Sequence, residues 1–399
     1  MPNLGFDFQW LIQPVELAAF LNQFWQRTPL VLLRQEPDYY ADLFSVDDLE
    51  TVIRFSHPKY PELHLDKPIA QGEAVDSLAG MRTGSLKDYG TFDLGQVYQT
   101  CAEGGMVSLA KLHTYWPAIA TLCRQLEHRF HAPVSASAHL IHRNLQEFPL
   151  HSHRHDAFVL QLEGPVLWRV HPASPYADSH QAEPSLPVKE VCLNAGDLLY
   201  IPRGCLHQAI ALENASLNLN LDVHVFTWAD LLTHALAALD DQTLPFYQAL
   251  PVGFMQSRDA IAPMQTQLVD LLQFLTQNAR VEDAVAHLAQ QFLEGMQPLP
   301  DGRLRQADDL SQISPETVVT KRKGMVCWVD RVGRTARIQF PGNTVAGPDY
   351  LEPALRFIAD TETFQVKALP ILSSDNSKLV LVHRLIKEGL LRVEDRAGN

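Results

Sequence analysis

Two short segments constrain this chain more than anything else in it. The first, His151-Ser152-His153, leads into the apolar run Phe158-Val159-Leu160-Gln161-Leu162. The second reads Gly196-Asp197-Leu198-Leu199-Tyr200-Ile201-Pro202-Arg203-Gly204-Cys205-Leu206-His207. Read as a strand, the first segment points alternate side chains to one face, so His151 and His153 stand side by side. His207 follows a Pro202-x-Gly204 turn at the end of an apolar run, which suits a third ligand arriving from a neighbouring strand. Imidazole is a good ligand for Fe, Ni, Cu or Zn. One feature thus implies a fold, a site and a class of chemistry.

The rest of the chain is ordinary enough to accommodate such a site. At 399 residues, 46% hydrophobic and 20% charged, it can bury a sizeable core over two or three domains. It has no uninterrupted apolar run of about 18 residues, so no membrane span is expected. The start, Met1-Pro2-Asn3-Leu4-Gly5, lacks a basic segment followed by an apolar one, which argues against secretion. Cys101, Cys123, Cys192, Cys205 and Cys327 are scattered and form no CxxC pair, the usage of free thiols in a reducing cytoplasm. A formal net charge of -14 disfavours non-specific nucleic-acid binding and is compatible with a basic partner.

Along the chain the pattern changes twice. The first 130 residues read as mixed and helix-rich: Val15 to Trp25 has helical spacing, Thr28 to Arg34 reads as a buried strand, Ser45 opens a short helix as its N-cap, and Trp116 to Phe130 is amphipathic. From about 133 to 226, short β-rich runs are separated by Pro and Gly turns, as in a sandwich or barrel. These runs are Phe158 to Leu162, Val166 to Val170, Val188 to Leu193, Asp197 to Ile201 and Ser216 to Phe226. From Trp228 to about Met296 the spacing is helical again, over Leu231–Leu239, Met264–Leu275 and Val281–Phe292. Leu299-Pro-Asp-Gly-Arg303 reads as a linker. Beyond it come two strands around a Gly turn, a helix over Leu351–Ala359, a second over Ser374–Gly389 closed by Gly389, and a strand Leu390–Val393. Helix, helix and strand at this size suggest a winged-helix-like domain. The expected division is 1–228 for a barrel domain with an N-terminal helical elaboration, 229–300 for a helical region, and 301–399 for the winged helix.

The residues point to a family. The chain resembles the JmjC branch of the cupin superfamily, and most closely the ribosomal oxygenase group. Phe24-Trp25-Gln-Arg-Thr-Pro29 and Asp38-Tyr-Tyr40 with Leu43-Phe-Ser45-Val-Asp-Asp-Leu49 carry the likeness near the start. Phe158 to Gly164, Trp168-Arg169-Val170 and Gly196 to Gly204 carry it in the centre, and Phe340-Pro-Gly-Asn-Thr344 with Leu355 to Ala359 carry it near the end. Gly196, Pro202, Gly204 and His207 also have the spacing of the second half of the broader cupin signature. The resemblance implies an α+β protein built on a double-stranded β-helix barrel, followed by a helical dimerisation region and a winged helix. It implies an iron(II)- and 2-oxoglutarate-dependent hydroxylase acting on a protein side chain, with a basic ribosomal protein as the substrate type and a homodimeric state; the cytoplasmic location is the expectation from the cysteines and the start of the chain. Nucleic acid and membrane partners are not expected: the winged helix's Ser374 to Lys387 segment offers only Lys378, Arg384 and Lys387 as cations.

Two departures from the family pattern follow from that alignment. Family hydroxylases use His-x-Asp and a distant His, so His151 and His207 take the outer ligand positions and His153 stands where the aspartate belongs. A third neutral imidazole leaves one more unit of positive charge at the metal. The family also clamps the far carboxylate of 2-oxoglutarate with Lys or Arg two residues before the Trp-Arg pair, and here that position is Val166. A buried dianion needs a charged partner or a dense set of donors. Arg143, Arg154, Arg169 and Arg203 are candidate substitutes. Ser137, His139 and Asn218 are the candidate cofactor-binding residues, with Ile141 and Asn220 at two further family positions. Asp156 is a candidate replacement carboxylate, and His142 and His155 read as structural or solvent-facing.

Three functions remain open on sequence grounds. The first is a metal-dependent JmjC-type oxygenase using 2-oxoglutarate. The second is a three-His cupin dioxygenase that chelates a small substrate directly and needs no 2-oxoglutarate. The third is a catalytically degenerate scaffold.

Overall fold

The computed structural model describes residues 6–66, 94–142, 150–171, 189–212, 214–239, 244–255, 261–303, 313–370 and 374–394. The chain divides into two compact units, Met1–Val225 and Phe226–Asn399.

The first unit opens with α1 (Phe8–Ile12), α2 (Leu17–Gln23), β1 (Leu30–Leu32), α3 (Val46–Ser56), β2 (Leu63–Asp66), α4 (Leu94–Ala102), β3 (Met106–Leu109) and α5 (Pro117–Phe130). Ser45 caps α3 through a capping box with Asp48, which satisfies two otherwise orphaned amide donors at that end. α5 starts on Pro117, whose missing N–H costs nothing in the first turn. The strands β4 (Val134–Ile141), β5 (Asp156–Glu163), β6 (Val166–Val170), β7 (Lys189–Leu193), β8 (Leu198–Ile201), β9 (His207–Ala211) and β10 (Ser216–Val223) complete the unit.

They form a seven-stranded sheet in the order β1-β8-β5-β10-β4-β3-β2 and a three-stranded sheet in the order β7-β6-β9. The period-two alternation of the strands decides what each face of the large sheet does. Val134, Ala136, Ala138, Leu140, Phe158, Leu160, Leu217, Leu219 and Leu221 join Phe8, Phe20 and Leu122 in the main apolar core, where the helices pack. The alternate residues face the other way. There Val159, Leu199 and Ile201 of the large sheet meet Val166, Trp168, Val170 and Leu193 of the small one in a second apolar cluster. Burial on that scale, at roughly 25 cal/mol per Å² of apolar surface, is what holds the two sheets together.

One expectation is corrected. His151-Ser152-His153 is not a strand. His151 forms a single antiparallel bridge with His207, and β5 begins only at Asp156. The His153 carbonyl accepts the amide of Gly204 (2.8 Å), so the turn takes the group a ladder would have used.

The second unit holds α6 (Trp228–Ala237), α7 (Ile261–Asn278), α8 (Val281–Gly295), β11 (Val318–Lys321), β12 (Trp328–Val332), β13 (Thr335–Phe340), β14 (Asn343–Pro348), α9 (Glu352–Asp360), β15 (Thr363–Gln365), α10 (Asp375–Glu388) and β16 (Leu391–Val393). Two three-stranded sheets, β15-β11-β16 and β12-β13-β14, share a core with α9 and α10 that includes Val319, Ile338, Leu355, Val382 and Leu385. The stretch expected to be a linker is tied down: Asp301 accepts from the buried Arg322 (2.6 Å), and Arg303 donates to the Lys387 carbonyl (2.8 Å). No helix among the described residues is long and apolar enough to cross a membrane.

Candidate metal centre

The metal-ligand segments meet because backbone pairing brings them together. The His151 amide donates to the His207 carbonyl (3.1 Å) and the His207 amide to the His151 carbonyl (2.9 Å). Gly204 permits the turn between Ile201 and His207, with φ at 76°, where a side chain would be strained. Gly196 serves the other end of β8: at φ 91° a Cβ there would sit 2.0 Å from the Glu36 carbonyl oxygen. Asp197 locks the same corner, accepting from the amides of Arg34 and Asn194, each at 2.8 Å.

On that frame one ligand atom each from His151, His153 and His207 lie within 4.8 Å of one another. His151 Nε2 and His153 Nε2 face across 3.1 Å. Two nitrogens each about 2.1 Å from one cation, at right angles, stand about 3.0 Å apart, so the observed spacing fits a shared ion. His207 Nδ1 lies 2.9 Å from the Cys205 carbonyl, which can only accept. The proton is therefore on Nδ1 and the Nε2 lone pair is left for a metal. Burial pushes the His207 imidazole down to about 3, helped by His151, and pushes His153 down to about 4, helped by His155 and His151. Both rings are neutral at physiological pH, the form that ligates. The residues present therefore fit a divalent transition metal.

The candidate cofactor residues lie on the same side of the large sheet. Asn218 is opposite His139 in the β10–β4 register, and its exposure is 2%. His139 is held at both nitrogens, Nε2 3.0 Å from Ser137 Oγ and Nδ1 2.9 Å from Ser108 Oγ. Burial holds its pKa below the usual histidine value. Ser108 lies on β3, a strand whose shortness hid it from periodicity. Asn220 pairs with Ser137 in register, one step along.

The position of the expected clamp is apolar. Val166 is fully buried in the cluster with Val159, Leu199 and Ile201. Of the candidate substitutes, Arg169 is paired with Glu190 (2.7 Å), Arg154 is exposed, and Arg143 lies outside the described residues. Arg203 is partly buried in the Pro202–Gly204 turn. Asp156 is not a ligand: it points into the helix-side core, where it accepts from the Tyr200 hydroxyl. His155, read from sequence as structural or solvent-facing, lies flat on His153, with centroids 4.6 Å apart and planes at 15°.

Residues 109–231 match the JmjC domain family model. The chain is 31% identical over 316 residues to ribosomal oxygenase 1 of Gallus gallus, covering 73% of this chain and 51% of that protein. It is 28% identical over 312 residues to the bifunctional lysine-specific demethylase and histidyl-hydroxylase NO66 of Aedes aegypti, covering 73% and 47%. The chain thus spans about half the length of the curated relatives it matches. Among solved structures, the ribosomal oxygenase YcfD of Escherichia coli, in complex with cobalt and 2-oxoglutarate, aligns with a TM-score of 0.53 at 18% identity, over 96% of this chain and 99% of that one. The fold is therefore the mixed helix-and-sheet JmjC/cupin type. Residues 109–231 match the JmjC domain, and over nearly three quarters of its length the chain is similar to the ribosomal oxygenases.

Proposed function

We propose that this protein is a metal-dependent JmjC-type oxygenase, a hydroxylase of a protein side chain that uses Fe(II) and 2-oxoglutarate. The observation that carries the reading is the convergence of His151, His153 and His207 in a site where all three rings can ligate one ion. When bound, the metal supplies O2 activation and a docking point for the oxo-acid. The chain's own part is to present Nε2 of His207 through its Cys205 bond, to keep the His153 and His207 rings neutral by burial, and to exclude water with the Val166–Trp168 cluster. Ser137, His139 and Asn218, turned to the same face of the sheet, are assigned to the acid's polar groups. The name ribosomal oxygenase 1 of a curated relative supports a ribosomal substrate, and the net charge of -14 is compatible with a basic one.

The finer architecture belongs to the same reading: a double-stranded β-helix barrel over 1–228, a helical region over 229–300 and a winged-helix-like domain over 301–399. The helical region is assigned to a homodimer interface. α6 and α7 bury no residue in the single chain, and Trp228, Leu232, Leu268 and Leu272 are exposed. The cytoplasmic assignment is supported by the five free cysteines. The experiment is succinate release from 2-oxoglutarate by the iron-loaded protein, with a ribosomal-protein mixture as substrate. Absence of both turnover and 2-oxoglutarate binding rejects the reading.

One observation favours a second reading. Val166 offers no cation to a distal carboxylate, and its surroundings are apolar. A three-His dioxygenase that chelates its substrate directly needs no such partner. O2 uptake on small chelating substrates, without 2-oxoglutarate, separates the two.

A further inference from the structure

Beyond the three ligands, a chain of polar side chains runs from His153 to the centre of the large sheet. His155 Nε2 pairs with Asp222 Oδ1 at 3.3 Å, with both side chains less than a fifth exposed (19% and 18%). Asp222 is on β10, hydrogen-bonded on both sides, opposite Ser135 of β4 and Ala157 of β5. Its backbone is thus paired to a strand on either side. On the far side, His224 closes on the His155 ring (5.0 Å between centroids) and is itself fixed by Ser135 Oγ at 2.9 Å. His153 is consequently held between two rings. His151 stands edge-on to it, at 4.7 Å and 79°, and His155 lies face-on.

We infer that Asp222 is a positioning residue for the metal centre, acting through His155 to set the plane of the His153 ring. The inference rests on the metal-site reading given under Proposed function. The physical need is specific to this chain. His153 lies outside the ladder, between the bridge at His151 and the start of β5, and its carbonyl is held only by the Gly204 amide, so its ring has no strand to orient it. A trihistidine site also carries no anionic ligand. A carboxylate one layer out, on a rigid strand, supplies both an anchor and a compensating charge. Carboxylates behind ligating histidines do this elsewhere by direct hydrogen bond. Here the relay is a stacked imidazole. His155→Ala removes that relay and Asp222→Asn removes the charge while keeping the shape.

The test is a titration of Co(II) into metal-free, full-length protein, read by affinity and by the visible d–d absorption spectrum. Asp222→Asn is expected to weaken Co(II) binding about tenfold and to alter the spectrum, with the melting temperature of the metal-free protein unchanged. In a His153→Ala background the same substitution is expected to have a clearly smaller effect, because the group it orients is gone and only its charge still acts. His155→Ala is expected to reproduce Asp222→Asn without touching β10, and it carries the test if the Asn variant does not fold. A wild-type spectrum and affinity in both variants, or an undiminished Asp222→Asn effect without His153, overturns the inference and leaves the site standing. Failure of the wild-type protein to bind Co(II) overturns the site and the inference together.

Discussion

The hydroxyl of Tyr200 donates to Oδ1 of Asp156 across 2.6 Å, inside the helix-side core and away from the metal centre. Neither residue is exposed. The same hydroxyl accepts the amide of Gln26 (2.9 Å), so it ties the N-terminal segment to β5 and β8 at one point. Asp156, three residues after His153, is therefore committed to structure. Burial raises its pKa, against the lowering influence of Tyr200 and Arg203. Tyr200→Phe removes one of its donors and is expected to destabilise the protein by about 1–3 kcal/mol. Denaturant unfolding checks the loss, and a Co(II) titration with unchanged affinity checks that the site is untouched.

The three ligands are expected to differ in what their removal does. His207 is buried, and its ring lies against Trp168 at 6.1 Å, so His207→Ala opens space as well as removing a ligand. We expect loss of most metal affinity together with a stability loss of about 1–3 kcal/mol. His153→Ala is expected to weaken binding with little effect on folding, because His153 lies outside any ladder. Calorimetric metal titrations set beside melting curves separate the two variants. Equal stability loss in both rejects the distinction.

Acid is expected to weaken the fold through the same rings. His207 is pushed down to about 3 and His153 to about 4, both from 6.5. The unfolded chain takes up protons near pH 6.5 that the folded site refuses. The stabilising difference is therefore complete above 6.5 and shrinks as pH falls toward the folded values. For His207 the slope is about 1.4 kcal/mol per pH unit within that window. Metal binding should fall over the same range, since protons compete for the nitrogens. Unfolding free energies measured between pH 7.5 and 4.5 should decline more steeply for the wild type than for His207→Gln. Parallel curves would count against this origin.

The grouping of the three candidate ligands was legible in the sequence, and so were several of the strands around them. His151, His153 and His207 could be read because their chemistry is discrete and the Gly196–Gly204 turn fixes a spacing. Ser137, His139 and Asn218 were reached only through resemblance, since alternation on one strand does not say which face is interior. The contributions of Ser108, His155 and Asp222 were not visible, because each depends on cross-strand neighbours far apart in sequence. Short strands such as β2 and β15, at four and three residues, are too brief for any periodicity. The supposed strand at His151–His153 shows the converse: two alternating histidines look like a ladder, yet the turn's amide takes the hydrogen bond.

The largest chemical departure lies at Val166, and it can be reversed. Val166 is fully buried, with Leu193 and Ala211 beside it in register and Val159, Leu199 and Ile201 in its cluster. Val166→Arg places a guanidinium in that apolar space. An unpaired buried charge costs about 3–5 kcal/mol, so the variant should melt well below the wild type. If the space behind the metal centre is where a dicarboxylate extends, 2-oxoglutarate supplies the missing countercharge. It should then raise the melting temperature of metal-loaded Val166→Arg by several degrees more than that of the wild type, through selective binding to the folded form. A monocarboxylic 2-oxo acid reaches the metal but not the arginine, and should not do so. Equal shifts by both acids would place the distal carboxylate elsewhere, and would leave Ser137, His139 and Asn218 as the groups to vary next.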